Sequence, residues 1–167
     1  PDFFDAPYWL GALLLGRGDA TGSLPWLTQA LRIRPDSAET HVYLGHALNT
    51  LQRFDEALAS FDRALALRPD LAVALNNRGL ALHGLGRHEA ALAAFEQALA
   101  HTPRDADVLN NRGVTLHKLG RHEAALQSFA AALALRPAFP EALSNGGKSL
   151  AALGRHEEAL AAHAQAL

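Results

Sequence analysis

Apolar residues recur every three or four positions along most of the chain, which is the spacing of one face of an α-helix. In the stretch 38–51 these residues are Leu44, Ala47, Leu48 and Leu51, and in the stretch 55–67 they are Leu58, Phe61, Ala64 and Leu65. Pro69 ends the second stretch, because proline cannot continue the helical hydrogen-bond ladder. The pattern predicts two helices joined by a short turn.

This pattern repeats with a period of 34 residues. When 72–105 is shifted onto 106–139, 21 of 34 positions are identical. Glycine recurs at positions 11, 45, 79, 113 and 147, and proline at 35, 69, 103 and 137. The tripeptide Leu-Gly-Arg marks the turn inside each of the last three pairs, because glycine accepts a positive φ at a helix end. We therefore predict an all-α chain of ten helices in five repeats, at about 4–37, 38–71, 72–105, 106–139 and 140–167.

The repeat resembles the tetratricopeptide repeat, a helix–turn–helix unit of about 34 residues. The pattern is carried in the third repeat by Leu75, Gly79, Ala91, Phe95 and Pro103. The resemblance implies a right-handed α-solenoid, with a single array over 1–167. It also implies that the first helix of each repeat lines a concave groove that binds protein or peptide.

The two ends of the chain depart from the pattern. In the first repeat Leu27 replaces the aromatic residue, and Pro25 is expected near the start of its helix, where proline is tolerated. The last repeat stops six residues short. Its final helix is expected to expose Ala159, Leu160, Ala166 and Leu167. We expect the chain to be a fragment of a larger protein, and self-association through open ends is a further hypothesis.

Composition and charge exclude several classes of function. The formal net charge is −2 and no basic block is present, so we expect binding to neither nucleic acid nor membrane. No apolar run approaches the roughly 20 residues that span a bilayer. The absence of cysteine excludes disulfides and thiolate sites and leaves the redox compartment open. Because nothing resembles a signal peptide, we expect a cytoplasmic location.

The nine histidines do not predict a metal or catalytic site. His88, His122 and His156 repeat with the same period, and equivalent residues on stacked helices lie about 8–10 Å apart, too far to share one metal ion. We expect each histidine to occupy a packing position that suits an aromatic side chain, at the start of the second helix of its repeat. No nucleophile–base pair is visible. The sequence therefore predicts no catalytic residue, no metal and no cofactor, and the chain is not an enzyme by itself.

Asparagine recurs on the side of the first helices that faces away from their helical partners. At 100° per residue, Asn77 points well away from Leu75, Gly79 and Leu82, and Asn111 and Asn145 repeat its position. An asparagine amide offers the donor and acceptor that match a peptide unit, so the column predicts binding of an extended polypeptide. The predicted peptide-binding residues are Asn77, Asn111, Asn145, Asn76, Asn110, Tyr43, His83, Asp107, Lys118 and Lys148.

Three other interpretations stay open at this stage. The column is similar to the asparagine ladder in the tetratricopeptide arm of O-linked N-acetylglucosamine transferases, which suggests the substrate-recognition arm of a larger glycosyltransferase-like enzyme. A self-assembling scaffold is the second, and a merely solvated face is the third. The resemblance to chaperone-binding repeats is poorer, because Asn76 and Asp107 stand where two groove lysines are needed.

Overall fold

A computed structural model describes residues 4–166, and these residues form ten helices and no strand. The helices are α1 (Asp5–Gly16), α2 (Ala20–Ile33), α3 (Ala38–Thr50), α4 (Phe54–Leu67), α5 (Ala72–Gly84), α6 (His88–His101), α7 (Ala106–Lys118), α8 (His122–Leu135), α9 (Pro140–Ala152) and α10 (His156–Gln165). The all-α helical-repeat prediction is confirmed.

The helices fall into two compact units. The N-terminal unit extends to Gly86 and contains α1–α5, and the C-terminal unit begins at Arg87 and contains α6–α10. In the N-terminal unit, α1 packs on α2 and α3 packs on α4, while α1, α3 and α5 contact one another in sequence. In the C-terminal unit, α7 packs on α8, α9 packs on α10, and α7 contacts α9. The division of one continuous array into five repeats stays a prediction.

Each unit has a core in which a helix backbone approaches a phenylalanine ring. A Cβ added to Gly45 would lie 2.5 Å from Cε1 of Phe61, and one added to Gly113 would lie 2.5 Å from Cε1 of Phe129. Phe61 and Phe129 are almost completely buried. A methyl group at either glycine would overlap the ring, so the 34-residue recurrence of glycine at these positions comes from close packing.

The turns inside the repeats require a left-handed backbone conformation. Gly18, Gly86, Gly120 and Gly154 have φ values of 84°, 72°, 74° and 75°. The prediction that glycine accepts a positive φ in these turns is confirmed. Gln52 occupies the equivalent place in the second repeat with a φ of 58°, which is costly for a residue with a side chain.

Two local expectations are wrong. Helix α2 begins at Ala20, where Asp19 Oδ1 accepts a hydrogen bond from the Gly22 amide at 2.8 Å, so Pro25 lies in the helix interior. Its ring deprives the Thr21 carbonyl of a helical donor. Ala159 is 5% exposed because it takes the small-residue place that Ala125 fills one repeat earlier, whereas Leu160 is 71% exposed, as expected. Ala166 is half-buried, and Leu167 lies outside the described residues.

Among residues 4–166, no helix combines the length and the apolar character that crossing a membrane requires.

Candidate functional site

Every predicted site residue lies on the first helix of a pair. Tyr43 is on α3; Asn76, Asn77 and His83 are on α5; Asp107, Asn110, Asn111 and Lys118 are on α7; Asn145 and Lys148 are on α9. The recurrence of these helices with the repeat period is what brings the residues to equivalent places. Their role in binding stays a prediction.

Asn145 links two helices in the C-terminal unit. Its Nδ2 donates a hydrogen bond to Asn110 Oδ1 at 3.3 Å, and its Oδ1 accepts one from Lys148 Nζ at 3.2 Å. Asn110 is only 9% exposed, so it mainly orients Asn145 across the α7–α9 contact. A primary amide has two N–H groups and two acceptor lone pairs, and Asn145 therefore keeps one of each for a ligand.

Asn77 is oriented by its own helix in the N-terminal unit. Its Nδ2 donates to the Val73 carbonyl one turn earlier at 2.9 Å. The side chain is half-buried, while neighbouring Val73 is exposed. The second N–H of Asn77 and its carbonyl oxygen are thus available in a defined direction.

Tyr43 belongs to an aromatic cluster with Trp9 and Tyr8, and Tyr8 is the member that the sequence did not predict. The ring centroid of Tyr8 lies 5.8 Å from that of Tyr43 and 4.9 Å from that of Trp9, both in edge-to-face geometry. Burial, followed by the neighbouring Tyr43, raises the pKa of the Tyr8 hydroxyl. Trp9, at the repeat position of Tyr43, is 65% exposed. The first helices α1 and α3 therefore present an aromatic surface.

Asp107 is held by Arg136, which follows directly after α8 at the end of the same repeat. Its two carboxylate oxygens accept hydrogen bonds from Nη1 and Nη2 of Arg136, each at 2.9 Å. These hydrogen bonds lower the pKa of Asp107. The carboxylate is therefore already paired with a cation, which reduces its capacity to attract a second one.

His117 also connects α7 to α9, and the sequence analysis did not single it out. Its Nδ1 lies 2.9 Å from Ser149 Oγ, and its ring centroid lies 4.9 Å from that of His122. Burial lowers the pKa of His117, and the nearby charges of His122, Lys118 and Lys148 lower it further. The sequence feature that could have identified His117 is its recurrence 34 residues after His83.

The expected packing of the histidines at the starts of the second helices holds for His122, which contacts His117, but not for His156, which is exposed.

No cluster of three or more His, Cys, Asp or Glu side chains suited to a metal ion occurs in the described range 4–166. Apart from the carboxylate of Asp107, which Arg136 holds, the site groups described above on α7 and α9 are instead amides, two lysines and the imidazole of His117. Such a set can bind polypeptide backbone and anionic groups.

Comparison with protein families gives one consistent result. Two family models, each described as tetratricopeptide repeat, match the chain: one covers 36–104, and the other covers 76–138 and 118–167. Together they span more than half of the chain. A search of curated proteins found no significant match.

Solved structures agree over almost the whole length. A thermophilic repeat protein of Thermus thermophilus has a TM-score of 0.82 at 27% identity, covering 98% of this chain and 90% of that chain. The pilF protein of Pseudomonas aeruginosa has a TM-score of 0.86 at 27% identity, covering 98% and 76%. MamA of Desulfovibrio magneticus has a TM-score of 0.88 at 22% identity, covering 99% and 94%, which shows likeness of fold alone.

Proposed function

Because this chain belongs to the tetratricopeptide repeat family, we propose that it holds an extended polypeptide against the first helices of its repeats. The repeat fold is that of a protein-interaction scaffold. The finer proposal is that asparagine amides bind the backbone of the partner, so that binding tolerates many partner sequences.

One observation carries the proposal: Asn111 and Asn145 occupy the same position on the contacting first helices α7 and α9. Neighbouring helices lie about 10 Å apart, and an extended chain advances about 3.3–3.6 Å per residue. The two amides would therefore meet a bound backbone about three residues apart. Asn77 stands at the same position in the N-terminal unit and is already oriented by Val73.

The strength of this binding follows from the number of hydrogen bonds. Each is worth about 0.5–1.5 kcal/mol net, so the three amides supply a few kcal/mol, enough for weak binding. Exposed Trp9 adds apolar contact in the N-terminal unit, because an aromatic ring gives a large contact area at little entropic cost.

The experiment is the triple substitution Asn77→Ala, Asn111→Ala and Asn145→Ala. Its affinity for a labelled, uncharged peptide of serine, alanine and glycine is measured by fluorescence anisotropy. The peptide has about ten residues, which is more than the step of about three residues between Asn111 and Asn145 requires. We expect at least a roughly tenfold loss of affinity, with the melting temperature little changed.

The matched control is Gln29→Ala, Gln97→Ala and Gln127→Ala, which removes three exposed amides from the second helices α2, α6 and α8. This variant should bind as the unaltered chain does. Equal affinity of the asparagine variant and the control, together with a lower melting temperature of the asparagine variant, would make the asparagines structural and refute the proposal.

The role of a substrate arm in a larger transferase and that of a self-assembling scaffold stay hypotheses. Both are compatible with polypeptide binding by the first helices. Catalysis would then reside outside this chain.

A further inference from the structure

A small cavity opens on the first helices of the C-terminal unit. It has a volume of about 120 Å³ and is lined by Val114, His117 and Lys118 of α7, Phe129 of α8, and Asn145 and Lys148 of α9. We call these six residues the lysine pocket. At about 30 Å³ per water molecule in the liquid, it has room for about four waters, or for one small polar group.

The chain has two lysines, because 13 of its 15 lysine and arginine residues are arginines. Both lysines line the pocket. Seven of the arginines are seen to pair with carboxylates, among them Arg121 with Glu89 and Arg136 with Asp107. Neither lysine forms an ion pair with any residue in 4–166, and Lys148 is bonded only to the Asn145 amide. Two cations therefore share one pocket without a counter-charge.

None of the residues that line the pocket is acidic. Asp107, on the same helix as Lys118, is held by both guanidinium nitrogens of Arg136. Burial, followed by the nearby charges of His122, Lys118 and Lys148, keeps the pKa of His117 below its ordinary value, which disfavours a further positive charge on its ring. The charges that line the pocket itself are therefore those of its two lysines, and both are positive.

We propose that the lysine pocket binds an anionic group carried by the bound polypeptide, either a side-chain carboxylate or a phosphate. The inference rests on the proposed function, because the asparagine that binds backbone, Asn145, is also a wall of the pocket. Lys118 and Lys148 contact the anionic oxygens, and the free N–H of Asn145 donates a third hydrogen bond. A backbone-binding column thereby gains preference for partners with an acidic or phosphorylated residue near Asn145.

The test compares three labelled peptides that are identical except for one central residue: glutamine, glutamate or phosphoserine. We expect the glutamate peptide to bind about fivefold more tightly than the glutamine peptide, and the phosphoserine peptide more tightly still, since each exposed ion pair contributes modestly. Raising the salt concentration should reduce this preference.

The variant Lys118→Gln with Lys148→Gln removes the charges and keeps most of each side-chain length. It should bind all three peptides equally, with the affinity that the unaltered chain has for the glutamine peptide. Lys118→Arg with Lys148→Arg is the matched control and should retain the preference. If the glutamine peptide binds but glutamate and phosphoserine add nothing, the lysine pocket proposal is wrong while the proposed function stands.

If none of the peptides binds, the proposed function fails and a second measurement decides on the pocket. Reductive methylation with ¹³C labels the two lysines as separate NMR signals and retains their charge. Titration with inorganic phosphate should shift both signals together at one site, and acetate should do so more weakly. Shifts no larger than those produced by the same concentration of chloride would overturn the proposal.

Discussion

The exposed surfaces of the first helices differ sharply between α1 and α3 in the N-terminal unit and α7 and α9 in the C-terminal unit. In the N-terminal unit, α1 and α3 present rings, with Trp9 exposed and Tyr43 packed edge-to-face on Tyr8. In the C-terminal unit, α7 and α9 present the amides of Asn111 and Asn145 at the corresponding position, and Asn145 is bonded to Lys148. The same helical position therefore carries aromatic rings on α1 and α3 and amides on α7 and α9, as it does on α5 with Asn77.

The interiors of the two units are nearly the same. The distances from an added Cβ to the three nearest ring atoms are 2.5, 2.8 and 2.8 Å at both Gly45 and Gly113. The interior is fixed by close packing, whereas exposed positions on the first helices can change without loss of the fold. Ligand preference should therefore reside in the exposed positions, and stability in the interior ones.

The largest expected effect is in the two interiors. Phe61→Ala and Phe129→Ala should each reduce the free energy of unfolding by about 3–5 kcal/mol, because both rings are buried. The midpoint of urea unfolding measures this. Phe129→Leu is the control and should cost less, since the first repeat places Leu27 beside Gly11 in the same way. A large effect in only one unit would break the comparison.

A smaller effect is expected from adding a methyl group at two equivalent glycines. Gly113→Ala should destabilise by about 1–3 kcal/mol, because the buried ring of Phe129 cannot move away. At Gly147 the added Cβ meets His163 Nε2 at 2.7 Å, but His163 is half-buried and can swing outwards. Gly147→Ala should then be near neutral, since alanine also favours the helix. Equal losses in urea unfolding would contradict this account.

The turns should respond more weakly, in opposite directions. Gln52→Gly removes a side chain from a left-handed position and should raise the stability by about 0.5–1 kcal/mol. Gly120→Gln places a side chain at an equivalent left-handed position and should lower the stability by about 1 kcal/mol. Melting temperatures of the two variants test the pair, and a shift of the same sign in both would show that the strain argument is wrong.

The smallest effect is a dependence of stability on pH. His117 faces His122, Lys118, Lys148 and the hydroxyl of Ser149, and its pKa is lowered in the folded chain. As the pH falls below about 6.5, the unfolded state takes up a proton first, so stability falls until the folded state is also protonated. His117→Gln should reduce the fall between pH 7.5 and 5.5 by about 0.5 kcal/mol or less. His156→Gln, at an exposed site, is the control and should leave the fall nearly unchanged.

The sequence was sufficient for the helices and turns because these depend on local chemistry that repeats. Glycine at positions 86, 120 and 154, for example, marks each turn by its backbone freedom alone. It was not sufficient to place Pro25 inside a helix. The hydrogen bond that Asp19 accepts from the Gly22 amide caps α2, which therefore begins five residues before the proline.

The contacts within the candidate site depend on side-chain rotamers across helices. The bridges from Asn145 to Asn110 and from His117 to Ser149 join residues about one repeat apart whose orientation no local pattern specifies. Position alone could place these residues on the first helices. It could not show which of them were already bonded to one another.

The central claim is that asparagine amides bind a polypeptide backbone, and side-chain amide NMR tests it most directly. The chain has six asparagines, and the NH₂ signals of a ¹⁵N-labelled sample can be followed during titration with the uncharged peptide. We predict that the signals of Asn77, Asn111 and Asn145 shift and saturate together, while that of Asn49, whose carbonyl oxygen is buried, stays in place. Binding that leaves these three signals unmoved would contradict the claim.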